Sequence, residues 1–426
     1  MKVYRFPNEV QQREILTRPT KDADSLNATV AAVLDSVHAE GDSAVLRYES
    51  QFDHVDLESL AVTDAEFYDA EALVTPELKE ALKQAHANIA AFHEAQRYDG
   101  IDVTTCPGVR CWQRSIPIEK VGLYVPGGTA PLFSTVLMLA TPARIAGCQE
   151  IVLCTPPRRD GSVHPAILVA ARLAGVSRVF KTGGVQAIGA MAYGTQTIPR
   201  VSKIFGPGNQ YVQAAKQLVS LRGVAIDMPA GPSEVAVVAD ASARASYVAA
   251  DLLSQAEHGV DSQVLLLTTS ETLLAEVERE VEAQLTSLPR RDIATKALAN
   301  SRLVLMHNMD EVMELCNHYA PEHLILETDD AEKLAARVRN AGSVFIGHLT
   351  PESAGDYASG TNHTLPTNGY ATAYSGVNLD AFCRKVTFQH INRDGLRSIG
   401  RTVELMAEAE ELFAHKNAMT LRLLNI

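Results

Sequence analysis

The chain has 426 residues, of which 46% are hydrophobic and 21% charged, and its formal net charge is −13. This length and composition are typical of a globular protein with two or three domains, and they exclude a mainly disordered chain. The negative charge and the lack of a Lys/Arg block argue against nucleic acid or an anionic membrane as a partner. No run of about 18 apolar residues and no leader-like apolar segment occur, so we expect a cytoplasmic protein.

The N-terminal third has helical periodicity. One helix is predicted from Lys21 towards Gln51 with an end at Gly41, and a second over Pro76 to Ala95. The apolar positions of the first helix recur at helical spacing and are Leu26, Val30, Val33, Leu34 and Val37.

From Val121 onwards, short apolar runs alternate with helical segments, which predicts βαβ units and parallel sheets. The predicted strands are VGLYVPGG (121–128), EIVLCTP (150–156), RVFKTGG (178–184), EVAVVAD (234–240), SQVLLLTT (262–269), RLVLMHN (302–308), HLILET (323–328) and SVFIG (343–347). The segment from Asp380 is charged, and we predict that it is mostly helical.

Two sheets of similar build follow from this pattern. We predict an α/β protein with two Rossmann-like parallel-sheet domains and small helical arms at both ends. Neither GPGNQY (206–211) nor GGVQAIG (183–189) matches the usual dinucleotide fingerprint, so a nicotinamide cofactor would bind differently from a Rossmann domain.

Two segments carry residues suited to a metal site. Gln255 and His258, three residues apart, end a predicted helix from which a metal could be bound, although a capped helix end with Gly259 at C′ explains them equally well. The loop 355–364 holds Asp356 and His363 among small polar residues, as functional loops do, and an Asx-type turn is the alternative.

Acid and imidazole groups also occur together at two other places. Glu322 and His323 stand directly before an apolar strand, which suits general acid/base chemistry, whereas simple turn punctuation after Pro321 is the alternative. Glu410 and His415 lie in a charged helical run and could share a site only if the helix ends or bends between them.

The six cysteines show no Cys-x-x-Cys spacing, so a thiolate zinc knuckle and a redox dithiol are not indicated. We expect buried free thiols, which behave as small hydrophobes.

Seven segments together resemble the histidinol dehydrogenase family, in collinear order over essentially the whole chain. They are VPGGTAPLFSTVLM (125–138), FGPGNQYV (205–212), DMPAGPSEV (227–235), LLSQAEHG (252–259), APEHL (320–324), GDYASGTNHTLPT (355–367) and AHKNA (414–418). The resemblance implies a Zn²⁺ enzyme that oxidises L-histidinol to L-histidine through L-histidinal with two NAD⁺. It also implies a homodimer with a domain-swapped C-terminal region.

The resemblance assigns roles to individual residues. It implies metal ligands at Gln255, His258, Asp356 and, from the partner subunit, His415. Glu322 and His323 would be the acid/base pair. Substrate contacts would be Ser233, His363 and Glu410, together with His323 and the four metal ligands. NAD contacts would be Tyr124, Gln186 and Asn209.

The chain is divided accordingly. We predict an N-terminal arm (1–20), a first α/β domain with the metal and catalytic residues (21–120 and 233–379), a second α/β domain on the NAD side (121–232) and a C-terminal dimerisation domain (380–426).

Three rival functions remain open at this point. One is a related zinc-dependent dehydrogenase of another small polyol or sulfonated alcohol. The second is a thiol-dependent aldehyde dehydrogenase with Cys111 or Cys148 as nucleophile. The third is a non-catalytic metal- or metabolite-binding protein.

Overall fold

The computed structural model describes residues 1–19, 23–127 and 130–426, with the backbone alone for residues 23–25. The predicted helix start at Lys21, and Gly128 of the predicted Gly-rich turn, lie outside the described residues. None of the helices in the described ranges combines the length and apolarity needed to cross a membrane.

The elements alternate along most of the chain. The helices are α1 (Glu9–Ile15), α2 (Ala23–Glu40), α3 (Asp42–Tyr48), α4 (Asp64–Leu73), α5 (Pro76–Glu94), α6 (Phe133–Ala146), α7 (Pro165–Leu173), α8 (Gly184–Tyr193), α9 (Gln210–Ser220), α10 (Ala245–Ala256), α11 (Glu271–Leu285), α12 (Arg291–Ala299), α13 (Met309–Tyr319), α14 (Ala331–Ala335), α15 (Glu352–Tyr357), α16 (Arg393–Ala409) and α17 (Phe413–Leu423). The strands are β1 (Lys2–Arg5), β2 (Ile101–Cys106), β3 (Val109–Pro117), β4 (Lys120–Tyr124), β5 (Glu150–Thr155), β6 (Arg178–Lys181), β7 (Lys203–Phe205), β8 (Ala225–Ile226), β9 (Glu234–Ala239), β10 (Gln263–Thr268), β11 (Arg302–Leu305), β12 (His323–Glu327), β13 (Ser343–Ile346) and β14 (Cys383–Ile391).

The larger sheet has six parallel strands in the order β1-β11-β10-β9-β12-β13. It is buried on both faces, because alternate residues of β9 such as Val235 and Ala236 enter apolar clusters on opposite sides. This explains why its strands read as continuous apolar runs and not as alternating ones.

The second sheet has five parallel strands in the order β6-β5-β4-β7-β8. The strand order reverses between β4 and β7, and ligands of open α/β sheets bind at the carboxyl ends of the strands at such a point. The eight predicted strands and the parallel α/β class are therefore confirmed.

A third, antiparallel sheet has the order β14-β3-β2. The segment from Asp380 is mostly helical, as predicted, because α16 and α17 make up more than half of it, but the nine-residue strand β14 that precedes α16 was not predicted. Phe388 of that strand stacks on Trp112 of β3 with ring centroids 5.3 Å apart, and such aromatic cross-strand pairs stabilise two strands distant in sequence.

The packing also differs from the predicted grouping of segments. Helices α2 to α5 do not cover the six-stranded sheet with 233–379; their apolar faces, with Leu34 and Ile89, enter the two clusters of the five-stranded sheet. The N-terminal segment is more than an arm, because β1 forms the edge of the six-stranded sheet. The domain boundaries themselves, and the swapped dimer, stay predictions.

Candidate active site

A cleft separates the amino ends of the six-stranded sheet from the carboxyl ends of the five-stranded sheet. Ser233 immediately precedes β9 and Glu322 precedes β12, whereas Gly206 follows β7. Those three residues line the cleft together with His363 and Gly208. Ser233 and His363, predicted as substrate contacts, thus lie beside the predicted acid, Glu322.

The predicted acid/base pair is buried at the start of β12. Glu322 is 6% and His323 4% exposed. Three carboxylates surround the imidazole: Nδ1 lies 3.7 Å from Glu322 Oε2 and 3.7 Å from Glu352 Oε1, and Nε2 lies 3.6 Å from Asp356 Oδ1. A turn that only punctuates the chain after Pro321 would not bury such a group.

These neighbours shift the acidities of the pair. Burial raises the pKa of Glu322 to about 8, although the His323 charge opposes it. Burial alone would lower the pKa of His323, but Glu352, Glu322 and Asp356 outweigh it and raise that pKa to about 10. Strongly shifted groups that face a cleft are typical of catalytic sites.

Gln255 is completely buried on the last turn of α10 and contacts the same group. Both ends of its amide are hydrogen-bonded when the nitrogen donates to Glu352 Oε1 and the oxygen accepts from the Glu234 N–H at 2.8 Å. The Glu234 N–H also donates to Glu322 Oε2 at 2.9 Å, so the amino end of β9 connects Gln255 to the acid.

A group of three residues that could hold a metal ion lies beside the pair. One ligand atom each of His258, Glu352 and Asp356 lies within 4.8 Å of the others. The buried Glu352 Oε2 and His323 Nε2 have no hydrogen-bond partner among the described residues. An imidazole with two carboxylates is a donor set that suits a divalent transition metal, so the residues fit such an ion.

Glu352 is the residue that sequence reasoning missed. The segment 355–364 was predicted as a loop, but Asp356 lies on the short helix α15, which begins at Glu352. Residues four apart share one face of a helix, so an acidic residue at i−4 was the available signal. Burial raises the pKa of Glu352 well above its usual range, with the His323 charge opposing.

His363 is held in a defined tautomer. Its Nδ1 lies 2.9 Å from the Asp356 carbonyl oxygen, which can only accept, so Nδ1 must donate. In the neutral ring Nε2 then accepts from the Thr135 hydroxyl at 3.1 Å. Burial lowers the pKa of His363, which favours this neutral form.

The end of α10 differs from the capped helix end considered as the alternative. The helix ends at Ala256, and Gly259 does not adopt the left-handed conformation of a C′ glycine. His258 follows the helix and lies next to Asp356 and Glu352.

The two C-terminal residues of the predicted site lie elsewhere in this chain. Glu410 follows α16 and His415 is on α17, so the helical run does end between them. Both are exposed, and His415 is not part of the group formed by His258, Glu352 and Asp356.

The three predicted NAD contacts lie at or beyond the carboxyl ends of strands of the five-stranded sheet. Tyr124 ends β4, and its hydroxyl accepts from the Gly184 N–H at 3.2 Å. Gln186 lies in the first turn of α8, and Asn209 caps α9 by accepting from the Tyr211 and Val212 N–H groups at 3.0 and 3.1 Å. Tyr124 and Asn209 flank the point where the strand order reverses.

The cysteines agree with the expectation of free thiols, with Cys148, Cys154 and Cys316 buried and the others half-buried. Burial raises the pKa of Cys148 to about 12, which makes it a poor nucleophile. Cys111 lies on β3 of the antiparallel sheet. Neither is among the described residues that line the cleft, so the thiol-dependent rival loses its support.

A buried carboxyl and imidazole with shifted pKa values, beside three residues that could hold a metal ion and at the meeting edges of two parallel sheets, are typical of an α/β enzyme. The profile of the histidinol dehydrogenase family matches residues 16–423. Histidinol dehydrogenase of Bacteroides thetaiotaomicron is 64% identical over 423 residues, which are 99% of both chains. That of Xanthomonas euvesicatoria is 55% identical over 412 residues, 96% of both.

A solved structure agrees with these relatives. The crystal structure of histidinol dehydrogenase from Elizabethkingia anophelis superposes with a TM-score of 0.97 at 51% identity, covering 100% of this chain and 98% of that one. The chain belongs to the histidinol dehydrogenase family and is an oxidoreductase of histidine biosynthesis.

Proposed function

We propose that the chain catalyses the NAD-linked, zinc-dependent oxidation of L-histidinol to L-histidine through L-histidinal. The observation that carries this proposal is the buried Glu322–His323 pair next to the group of His258, Glu352 and Asp356. When bound, zinc would hold the amino and imidazole nitrogens of the substrate, and NAD would accept the hydride in each of two oxidations.

The acid and the base have separate tasks in this scheme. His323 accepts the proton of the substrate alcohol, and Glu322 activates the water that hydrates the aldehyde. Although its burial opposes them, the negative charges of Glu352, Glu322 and Asp356 raise the pKa of His323. Engaging Asp356 and Glu352 as ligands would remove two of these charges, which frees the imidazole to act as a base.

The remaining residues bind and orient. Gln255, His258 and Asp356 would hold the metal, with Glu352 close enough to join them. Ser233 and His363 would contact the substrate in the cleft. Tyr124, Gln186 and Asn209 would contact NAD at the opposite edge.

The yield of NADH per histidinol tests the reaction. We expect two equivalents, loss of activity after chelation and its recovery when Zn²⁺ is returned. One equivalent with histidinal as the final product, or full activity without metal, would contradict the scheme. Zinc binding without NADH formation would instead favour a non-catalytic protein.

The C-terminal segment would complete the site of a second subunit in a homodimer. His415 and Glu410 are exposed in the single chain, and apolar side chains around them, such as Met406 and Phe413, are 61% exposed each. Such exposed apolar surface on two adjacent helices suits an interface.

Mixed dimers test the swap. His323→Ala and His415→Ala subunits, each inactive alone, should regain about a quarter of wild-type activity when co-refolded, because half of the dimers then hold one intact site of two. No recovery in a mixture that forms heterodimers would place both residues in one subunit's site.

A further inference from the structure

A buried carboxyl group contacts residues that follow β6 of the five-stranded sheet, although it lies far from them along the chain. Glu49 begins a π-helical turn (Glu49–Asp53) and is completely buried. Its Oε1 accepts from the Thr182 hydroxyl at 2.6 Å, from the Gly183 N–H at 3.1 Å and from Gln186 Nε2 at 2.8 Å. Single π-helical turns within helical segments are frequent at functional sites.

These contacts fix the orientation of the Gln186 side chain. The side chain of Gln186 is buried, and its amide has two chemically different ends that a half-turn about the Cγ–Cδ bond exchanges. Because Glu49 Oε1 accepts from the nitrogen, the amide oxygen must point the other way. That oxygen has no hydrogen-bond partner among the described residues, and it lies beside Gly184, where an added Cβ would be 2.9 Å from it.

The same contacts hold the turn that precedes α8. Gly183 donates to Glu49 and Gly184 donates to the Tyr124 hydroxyl, so two successive N–H groups are bound by side chains from different parts of the chain. Gly184 has a φ of +57°, a conformation that residues with a side chain rarely adopt. Glu49 therefore holds both the turn that precedes α8 and the amide of Gln186 in place.

We infer that Glu49 is a positioning residue for the cofactor: it presents the free amide oxygen of Gln186 as a hydrogen-bond acceptor for NAD. This inference rests on the proposed function, in which Gln186 and Tyr124 contact NAD. A donor such as a carboxamide N–H or a ribose hydroxyl of the dinucleotide is the chemistry that such an acceptor binds.

Glu49 acts through its acceptor atom and not through a negative charge. Burial raises its pKa to about 8, with Thr182 and Gln186 opposing and Asp53 adding to the rise. A glutamine at this position would offer the same acceptor oxygen to all three donors. Its amide nitrogen could also donate to the neighbouring Asp53 carboxyl.

Two variants at this position separate positioning from packing. Glu49→Leu keeps much of the volume but lacks the acceptor, so the Kd and KM of NAD should rise about tenfold, which equals ~1.4 kcal/mol of binding. The KM of histidinol and the kcat at saturating NAD should stay within about twofold, because Glu49 touches no reacting atom. Glu49→Gln should restore NAD binding to within about twofold of wild type.

Calorimetric titration of NAD into the dimeric holoenzyme, followed by steady-state kinetics, makes the measurement. Glu327→Gln is the matched control, because Glu327 is also a buried carboxyl but lies on the six-stranded sheet. It should leave NAD binding unchanged. If Glu49→Leu does not fold, Glu49→Asp withdraws the carboxyl group by one methylene and should raise the Kd at least threefold.

The outcomes separate this inference from the proposed function. Unchanged NAD binding in a folded Glu49→Leu or Glu49→Asp protein would overturn the role of Glu49, with NADH formation by the wild type intact. Equal loss in Glu49→Gln and Glu49→Leu would overturn it as well. A wild-type protein that neither binds NAD nor forms NADH would overturn both.

Discussion

The two parallel sheets present opposite ends to the same cleft. The five-stranded sheet contributes residues that follow its strands, such as Gly206 after β7 and Asp227 after β8, as open α/β sheets do when they bind ligands. The six-stranded sheet contributes residues that precede its strands, including Ser233 and Glu322. Chain direction alone therefore does not tell which edge of a sheet is functional.

The six-stranded sheet contributes its amino ends to the cleft because its buried polar residues in the cleft lie at those ends. The amino ends of β9 and β12 carry Glu234, Glu322 and His323, and the Glu234 N–H hydrogen-bonds to the acid. The carboxyl end of β12 carries Glu327, which is buried but lies away from the cleft. Each sheet thus has one buried polar edge in the cleft. We expect the chemistry at the edge of the six-stranded sheet and the binding of NAD at the edge of the five-stranded sheet.

His323→Ala should have the largest effect, because it removes the proposed base at the amino end of β12. We expect a fall in kcat of about 10²–10⁴ with bound zinc and the Kd of NAD unchanged. Stopped-flow detection of NADH and metal analysis make the measurement. His318→Ala, an exposed residue on α13, is the control and should be near wild type. Normal turnover in His323→Ala would remove the base from this edge.

A buried ion pair braces each edge. Arg18 donates through Nε and Nη2 to both carboxylate oxygens of Glu234 at 2.7 Å in the six-stranded sheet. Lys216 pairs with Asp227 at 2.5 Å and donates to the Gly206 carbonyl at 2.8 Å in the five-stranded sheet. Both pairs hold a strand end that faces the cleft.

Breaking either pair should cost ~3–5 kcal/mol of the free energy of unfolding, because a buried carboxylate loses its partner. Arg18→Met should in addition lower kcat, whereas Lys216→Met should raise the KM of NAD. Urea unfolding and steady-state kinetics are the measurements. Arg397→Met removes an exposed pair with Asp394 and should change stability by less than ~0.5 kcal/mol. The same kinetic change in both variants would contradict the assignment of the chemistry to one sheet and of NAD binding to the other.

The sequence alone predicted much of this comparison and missed some of it for identifiable reasons. Continuous apolar runs such as those of β9 and β12 are local signals, and they gave the parallel α/β class. The strand β14 was missed because its partner β3 is distant in the chain, and only cross-strand contacts such as Phe388 on Trp112 make it a strand.

The site shows the same limit. Motifs indicated His258, His323 and Asp356, since each stands in a recognisable segment. Glu352 and Glu49 stand in no motif, and only folding brings Glu352 to His323 and Glu49 to Gln186. A buried carboxyl group obtains its role from neighbours that a linear pattern does not show.

Glu327→Gln should have the smallest effect and should be visible only in stability. Burial raises the pKa of Glu327 to about 8, with the neighbouring Asp251 adding to the rise. The folded protein therefore holds this proton more tightly than the unfolded chain, so the stability from Glu327 is complete below about pH 4.5 and is lost as the pH rises towards 8. Glutamine has no proton to lose, and the variant should gain ~1–2 kcal/mol over wild type at pH 8 and nothing near pH 4.5.

Thermal unfolding at the two pH values measures this gain, with Glu332→Gln as the control because Glu332 is exposed on α14. Activity should be unchanged in both variants, since the carboxyl end of β12 lies away from the cleft. A large loss of kcat in a folded Glu327→Gln protein would show that both ends of β12 serve the reaction. The claim that only the amino end of β12 serves the reaction would then be wrong. The claim that the two sheets have different roles would still be tested by His323→Ala and Lys216→Met.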